Sequence, residues 1–410
     1  MNQSKARGID RRRLVKWGGL AAAGAVAAGP LMGAGIAHAD PAGHDQIPPD
    51  TLPGGAYDQY VAQLAADGKF AGVVLLSHQG RTVLSRSYGM ADQERGIRNH
   101  EGIAFSLSSA GKPFHAVAIL QLAQQGKLAL ADPVGAHLTG FAKDIAEQVT
   151  IHHLLSGVSG LDSPDEDVER IFQSQDEVHE YYEQRARQAK LVGIPGVPDA
   201  GHKEAEVTIS ALIVEAVAGT TYWDYVQEHI FKRCGMTGTG FYTRPKWLTD
   251  KHIAHPYMEL ADGSVVDAVR NLDKGSPYPY ILGKNPGRAF IDAPGDGGFA
   301  TAPDLVRFAC ALGDGTLLNR PWADVLTAPK LPHGPTSFGA YGMAIQIVGD
   351  QSMFQRAGGN PGVGANWSVY SYAGWVGVVL SNRDGAPLAE MIGRETQAVL
   401  GVSPGDGSGG

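Results

Sequence analysis

Phe105-Ser106-Leu107-Ser108-Ser109-Ala110-Gly111-Lys112-Pro113-Phe114 is the stretch on which the reading of this chain turns. Within it, Ser109-Ala110-Gly111-Lys112 is the only Ser-x-x-Lys in the sequence. Phe114, Val117, Leu120 and Leu122 then recur at the spacing of an amphipathic helix, which predicts Ser109 at a helix N-terminus. Residues three apart share a helix face, so the Lys112 amine comes beside the Ser109 hydroxyl. There a desolvated lysine with a lowered pKa can take the hydroxyl proton, and the helix N-terminus favours the negative charge that develops on attack. The same four residues also suit a serine helix cap followed by a solvated lysine, and the motif alone leaves both readings open.

Outward from this stretch, Tyr57, Tyr60, Val61 and Leu64 keep helical spacing, and Gly72 to Ser77 with Arg81 to Tyr88 read as a β-hairpin around His78-Gln79-Gly80. At the far end Ala365 to Tyr372 and Trp375 to Leu380 again read as paired strands, followed by a helical run from Pro387 to Leu400. Between about 132 and 242 helical patterns dominate, among them Glu177 to Ala189 and Val207 to Val217. Strands at both ends around a helical middle predict an α/β fold: an antiparallel sheet built from both chain ends and flanked by helices, with an inserted mainly helical domain. Residues 54–134 and 291–402 are expected to form the sheet domain and 135–290 the helical one. Its stretch 243–290, rich in Pro, Gly, Tyr and Asp and without a clean period, is expected to act as a lid. Residues 40–53 read as a linker and 403–410 as a flexible tail.

Composition limits the function classes. The chain has 410 residues, 34 Lys+Arg against 42 Asp+Glu, and 2 Cys, which excludes a disulfide-rich miniprotein. Glycine, at 55 residues, is about twice the usual ~7% share, so tight turns and close backbone approaches are expected. Residues 1–39 read as a cleavable twin-arginine export signal: Arg11-Arg12-Arg13, a small-residue apolar run from Trp17 to Ile36, and an Ala37-His38-Ala39 exit. Ala and Gly make that run weak for a bilayer core, so no stable membrane anchor is expected after cleavage and the protein is placed outside the cell or in its envelope. Cleavage removes Lys5, Arg7, Arg11, Arg12, Arg13 and Lys16 but only Asp10, leaving a chain more acidic than the net −8 of the whole. That surface does not suit nucleic acid. Cys234 and Cys310 read as two separate thiols.

Beyond the Ser-x-x-Lys, Leu122-Ala123-Gln124-Gln125-Gly126-Lys127-Leu128-Ala129-Leu130-Ala131-Asp132-Pro133-Val134, Thr150-Ile151-His152-His153-Leu154-Leu155-Ser156-Gly157, and Gly297-Gly298-Phe299-Ala300-Thr301-Ala302-Pro303-Asp304-Leu305 follow in order. With Val378-Val379-Leu380-Ser381-Asn382-Arg383, they resemble the serine β-lactamase-like family of class C β-lactamases, D-alanyl-D-alanine carboxypeptidases, D-aminopeptidases and family VIII esterases. The resemblance spans about residues 55–400. It implies a β-lactamase/transpeptidase-like fold, an acyl-enzyme on Ser109 with Lys112 as base, no cofactor, and a small-molecule or peptide-like acyl substrate.

The family uses three elements, the Ser-x-x-Lys, a Tyr-x-Asn and a Lys-Thr-Gly or His-x-Gly, and this chain departs at the last two. The second falls on His202-Lys203-Glu204 or, shifted by one, Gly201-His202-Lys203. His202 reads either as a substitute proton donor and acceptor or as part of a surface turn. Lys203 is its rival occupant, and Glu204 is a candidate to orient His202 or to pair with Lys112. The third element maps onto Arg356-Ala357-Gly358, where Arg356 is expected to hold a substrate carboxylate through its planar fork and Gly358 to line the substrate site. The backbone N–H groups of Ser109 and Gly359 are expected to form the oxyanion hole, since backbone donors survive side-chain change. His152-His153 lacks a third ligand and predicts no metal site. Tyr181, Tyr182, Tyr278 and Tyr280 are candidates to line a substrate cleft. A competing reading is a non-catalytic binding protein that keeps fold and groove but has lost the reaction.

Overall fold

Two strands from the N-terminal part of the chain, β1 (Gly72–His78) and β2 (Arg81–Tyr88), join six from the C-terminal part. Those are β3 (Leu331–Pro332), β4 (Ser337–Gly339), β5 (Ala344–Val348), β6 (Gln351–Asn360), β7 (Val363–Tyr370) and β8 (Trp375–Ser381). In this computed structural model, which describes residues 46–198 and 204–402, they form one eight-stranded sheet in the order β3-β4-β5-β6-β7-β8-β1-β2. Every pairing is antiparallel, and the two chain ends meet where Gly72 to His78 run against Ser381 to Trp375. All seven residues of β1 and of β8 are buried, because helices cover both faces of the sheet centre.

The period of two along β1 divides its side chains between two cores. Val74 and Leu76 pack with α1 (Ala56–Ala66) and the C-terminal helix Leu388–Leu400, whereas Val73 and Leu75 belong to the larger core on the other face. At the centre of that larger core lies α2 (Pro113–Gln124), apolar on nearly all sides and buried from Pro113 to Ala123. The helical insert rests on it. Within the insert, α3 (Gln175–Arg187) is capped by Ser174, whose side chain accepts from the Glu177 N–H, and it packs on α4 (Glu204–Ala218). Of the sequence expectations, 1–39, 403–410 and part of the linker lie outside the described residues. No helix among the described residues is long and apolar enough to cross a membrane.

The stretch 243–290 carries a helical turn at Arg244–Thr249 and a small hairpin of Tyr257–Glu259 with Val265–Asp267. Trp247, Ile253 and Val269 pack with Ala104 and Phe299 in a small apolar cluster, and polar side chains complete the anchoring. Arg288 is buried and gives its guanidinium to the carbonyls of Leu272, Val168, Gly283 and Lys274 at 2.8, 2.8, 2.9 and 3.0 Å. Arg270 bridges Asp92 and Asp267, and His255 Nδ1 lies 2.7 Å from the same Asp267 carboxylate. These contacts join residues close together in this stretch to residues more than a hundred positions away, so no periodicity announces them.

On the sheet face lined by Val74 and Leu76 runs the C-terminal helix, α5 (Leu388–Leu400). It brings Glu395 into the core, where Tyr370 donates a 3.0 Å hydrogen bond to the carboxyl. Gly377 of β8 makes the room: a Cβ there would sit 2.1 Å from the Glu395 carboxyl. Burial pushes this carboxyl up to about 7 from its ordinary 4.5. Its folded pKa lies above its unfolded one, so the folded state is favoured at low pH. The contribution is lost as pH rises from about 4.5 to about 7, where the unfolded chain ionises first. Glu395→Gln should therefore gain stability over the parent at pH 8 relative to pH 5, by on the order of 2 kcal/mol. Urea denaturation at the two pH values measures it, and an equal difference at both would contradict this account.

Candidate active site

The turn that carries the nucleophile candidate is held from several sides. Ser108–Gly111 forms a 3-10 turn and α2 begins only at Pro113, so Ser109 sits one turn before the helix and not at its first residue. Pro113 suits the first turn of α2, where its missing N–H is no loss, and Lys112 before it already has helical angles, φ −53° and ψ −34°. Ser108 has φ 47°, a left-handed conformation that costs a residue with a Cβ about 1–3 kcal/mol. The surroundings compensate. Leu107 N–H donates to Gly298 O at 2.8 Å, and Ser108 Oγ donates to Gly359 O at 2.9 Å. Trp367 Nε1 donates to Ala110 O at 3.0 Å, and Arg356 Nε donates to Ser109 O at 2.8 Å.

The sheet supplies the wall. β5 pairs only with Gln351 to Gln355 of β6, so Arg356 to Asn360 leave that edge free of strand partners, and the turn packs there. Contact is backbone to backbone: a Cβ on Gly358 would lie 2.2 Å from Leu107 O and 2.4 Å from Ala110 N. One on Gly111 would lie 1.7 Å from Gly297 O. In a strand the N–H and C=O of one residue share an edge. Since Gly359 O meets Ser108, the Gly359 N–H faces the nucleophile turn as well.

Lys112 Nζ lies 3.0 Å from Ser109 Oγ and 3.1 Å from Asp296 Oδ2. It is therefore not the lone desolvated amine that the sequence suggests, nor does it pair with Glu204: its ionic partner is Asp296. Burial alone would raise the Asp296 carboxyl, but the charge of Lys112, with the Gly297 N–H, holds it below the ordinary aspartate value. Nearby Asp292 behaves oppositely. Buried and facing the charge of Asp296, it is pushed up to about 7, although Gly298 N–H donates to it at 2.9 Å.

A cavity of about 230 Å³ opens from Ser109, Lys112, Asp296 and Gly359 towards the helical insert. Its far wall is charged. Glu166 accepts from Tyr182 and pairs with Lys284 at 2.9 Å, and Arg185 pairs with Glu204 at 2.9 Å. Arg185 is 6% exposed, and one of its guanidinium nitrogens has no hydrogen-bond partner among the described residues.

The expected residues fare differently. Ser109, Lys112 and Gly359 come together, and Glu204 lines the cavity through Arg185. His202, Lys203 and Gly201 lie outside the described residues. Arg356 and Gly358 do not line the cavity; Arg356 donates to Ser109 O and Gly358 packs against the backbone of Leu107 and Ala110, while Gly359 and Asn360 of the same edge reach the cavity wall. Tyr182 lines the cavity, while Tyr280 is 81% exposed and stacks on Tyr278. His152 meets the Tyr341 hydroxyl, and His153 completes the cap of its own helix. Sequence reading missed Asp296, Asp292, Glu166, Arg185 and Lys284. The one local hint for Asp296 is its place directly before the glycine pair Gly297-Gly298.

Known proteins share the family profile and the fold. A family profile described as Beta-lactamase matches residues 57–400. PbpX of Bacillus subtilis (strain 168), provisionally described as a penicillin-binding protein, is 28% identical over 71% of this chain and 66% of its own length. A penicillin binding protein from Bacillus halodurans superposes with TM-score 0.68 at 25% identity, covering 81% of this chain and 97% of that one. EstCE1, a hydrolase with promiscuous acyltransferase activity, shares the fold at TM-score 0.68 and 24% identity, covering 84% and 97%. The chain spans about two thirds of the length of PbpX and of penicillin-binding protein 4* of Bacillus subtilis (strain 168).

Gly358→Ala tests the packing of the turn. The added methyl has only backbone to displace, so the turn must shift and covalent labelling of Ser109 should slow by about 100-fold, the cost of small misplacement at a reacting centre. Labelling by a fluorophosphonate, with a thermal melt to confirm folding, measures it.

Proposed function

The chain belongs to the beta-lactamase family, and from that premise we propose that it is an exported serine hydrolase or acyltransferase acting through an acyl-enzyme on Ser109. The observation that carries this reading is the 3.0 Å contact of Lys112 Nζ with Ser109 Oγ, in a turn pinned beside the Gly359 N–H. Attack by Ser109 on a substrate carbonyl transfers the hydroxyl proton to Lys112, and the N–H groups of Ser109 and Gly359 receive the developing oxyanion. Water, or another nucleophile, then resolves the acyl-enzyme. The charged far wall, with Arg185, Lys284, Glu166 and Glu204, favours a polar, peptide-like acyl group over a long apolar chain. Export rests on the Arg11-Arg12-Arg13 block and its apolar run, and an intact mass beginning near Asp40 for the secreted protein checks it.

Intact-mass measurement after exposure to a fluorophosphonate, a set of β-lactams and activated esters tests the reaction class, with peptide mapping to place the adduct. Ser109→Ala should abolish labelling, and unchanged labelling in that variant would show that another residue is the nucleophile. No adduct with any probe would favour a binding protein that keeps the fold without the reaction.

Lys112→Arg separates proton transfer from charge, because arginine holds its protons too tightly to take up the hydroxyl proton and pass one on. Acylation should slow by about 100-fold or more, the worth of a positioned general base. A stopped-flow rate near that of the parent would remove Lys112 from the proton path.

A further inference from the structure

We infer that Asp296 completes a Ser109–Lys112–Asp296 proton relay, and that this relay does the work of the family's missing Tyr-x-Asn. The inference deepens the proposed acyl-enzyme reading and rests on it. Lys112 Nζ stands between two oxygens, 3.0 Å from Ser109 Oγ and 3.1 Å from Asp296 Oδ2. The other carboxylate oxygen, Oδ1, accepts from the Gly297 N–H at 2.8 Å, so Oδ2 is aimed at the amine. The aim is fixed by the backbone that also fixes the nucleophile. Gly297 has φ 70° and Gly298 φ 98°, Gly297 O lies against Gly111, and Gly298 O accepts from Leu107 N–H. Carboxylate, amine and hydroxyl are thus set on one rigid packing.

An ionised Asp296 beside Lys112 gives the proton a destination. As Ser109 Oγ bonds to the acyl carbon, its proton passes to Lys112 Nζ while Lys112 passes one of its own to Asp296 Oδ2. Lys112 keeps its charge, and the negative charge of Asp296 moves to the oxyanion. When the tetrahedral adduct collapses, the bond from carbon to the leaving group breaks, Lys112 protonates that group, and Asp296 returns its proton to Lys112. The deacylating water follows the same path. Asp296 touches no reacting atom; it acts through Lys112, positioning the amine and holding the proton it releases. This route serves both steps for which a second proton carrier is otherwise required, without any residue of the 201–203 stretch. The titratable and charged groups facing the pair are Asp292, His115, Tyr222 and Arg356.

The test is the pH profile of Ser109 acylation, followed with p-nitrophenyl acetate and by fluorophosphonate labelling, for the parent, Asp296→Asn, Asp296→Glu and His202→Gln. Asp296→Asn should lose about 100-fold in acylation near pH 7. Its rate should then rise with pH more steeply than the parent's, since Lys112 without its relay partner must itself be neutral to accept a proton. Asp296→Glu should restore the parent profile in part, and His202→Gln should leave it unchanged. A proton inventory on the parent in mixtures of light and heavy water needs no variant: two protons in flight give a bowed plot. A linear inventory, or an Asp296→Asn profile identical to the parent's, would overturn the relay while leaving Ser109 as nucleophile. Absence of Ser109 labelling in the parent would overturn both.

Discussion

The free edge of β6 and the nucleophile turn are pressed together without side chains between them. Gly358 on the strand, and Gly111 at the end of the turn, allow backbone atoms to approach where a methyl group would collide with Leu107 O or Gly297 O. This approach determines much of the rest. It holds Ser108 in a left-handed conformation, presents Ser109 to the cavity, and brings the Gly359 N–H to the same side. Hydrogen bonds from Trp367 and Arg356 to carbonyls of the turn close it from behind. The sheet therefore acts as a rigid jig whose eight-stranded continuity depends on both chain ends being in register.

Charge in the site is organised by the same packing. Two carboxyls, Asp292 and Asp296, approach the turn from one glycine-rich segment, and two like charges cannot both be cheaply ionised in a buried setting. The pair divides: Asp296 is ionised beside Lys112, while burial and the neighbouring charge raise Asp292. Such divergence between adjacent titratable groups is what proton-transfer chemistry near neutral pH requires. On the far wall Glu166 pairs with Lys284 of the stretch 243–290, while Arg185 of α3 pairs with Glu204 of α4.

Much of the fold is legible in the sequence because its signals are local. Short valine- and leucine-rich runs mark β1 and β8, and the helical spacing after Pro113 marks α2, although the expected amphipathic helix is buried on nearly all sides. The Ser-x-x-Lys is likewise a short-range feature, since three positions of chain suffice to bring amine and hydroxyl together. Residues 243–290 are less legible. Their order comes from Arg288 and Arg270 reaching carbonyls and carboxylates scattered along the chain, and such contacts leave no period.

The sequence by itself determined the sheet assembled from both chain ends, the helical middle of the chain, and the nearness of the Lys112 amine to the Ser109 hydroxyl, because each is encoded by local spacing, whereas Gly359 was picked out only by the family resemblance. Only the tertiary structure decided that Arg356 braces Ser109 from behind, that Lys112 answers to Asp296, and that the cavity ends in paired charges. Those outcomes depend on which distant segments touch, and contact between distant segments is settled by packing and charge compensation across the whole molecule, not by any residue's neighbours in the chain.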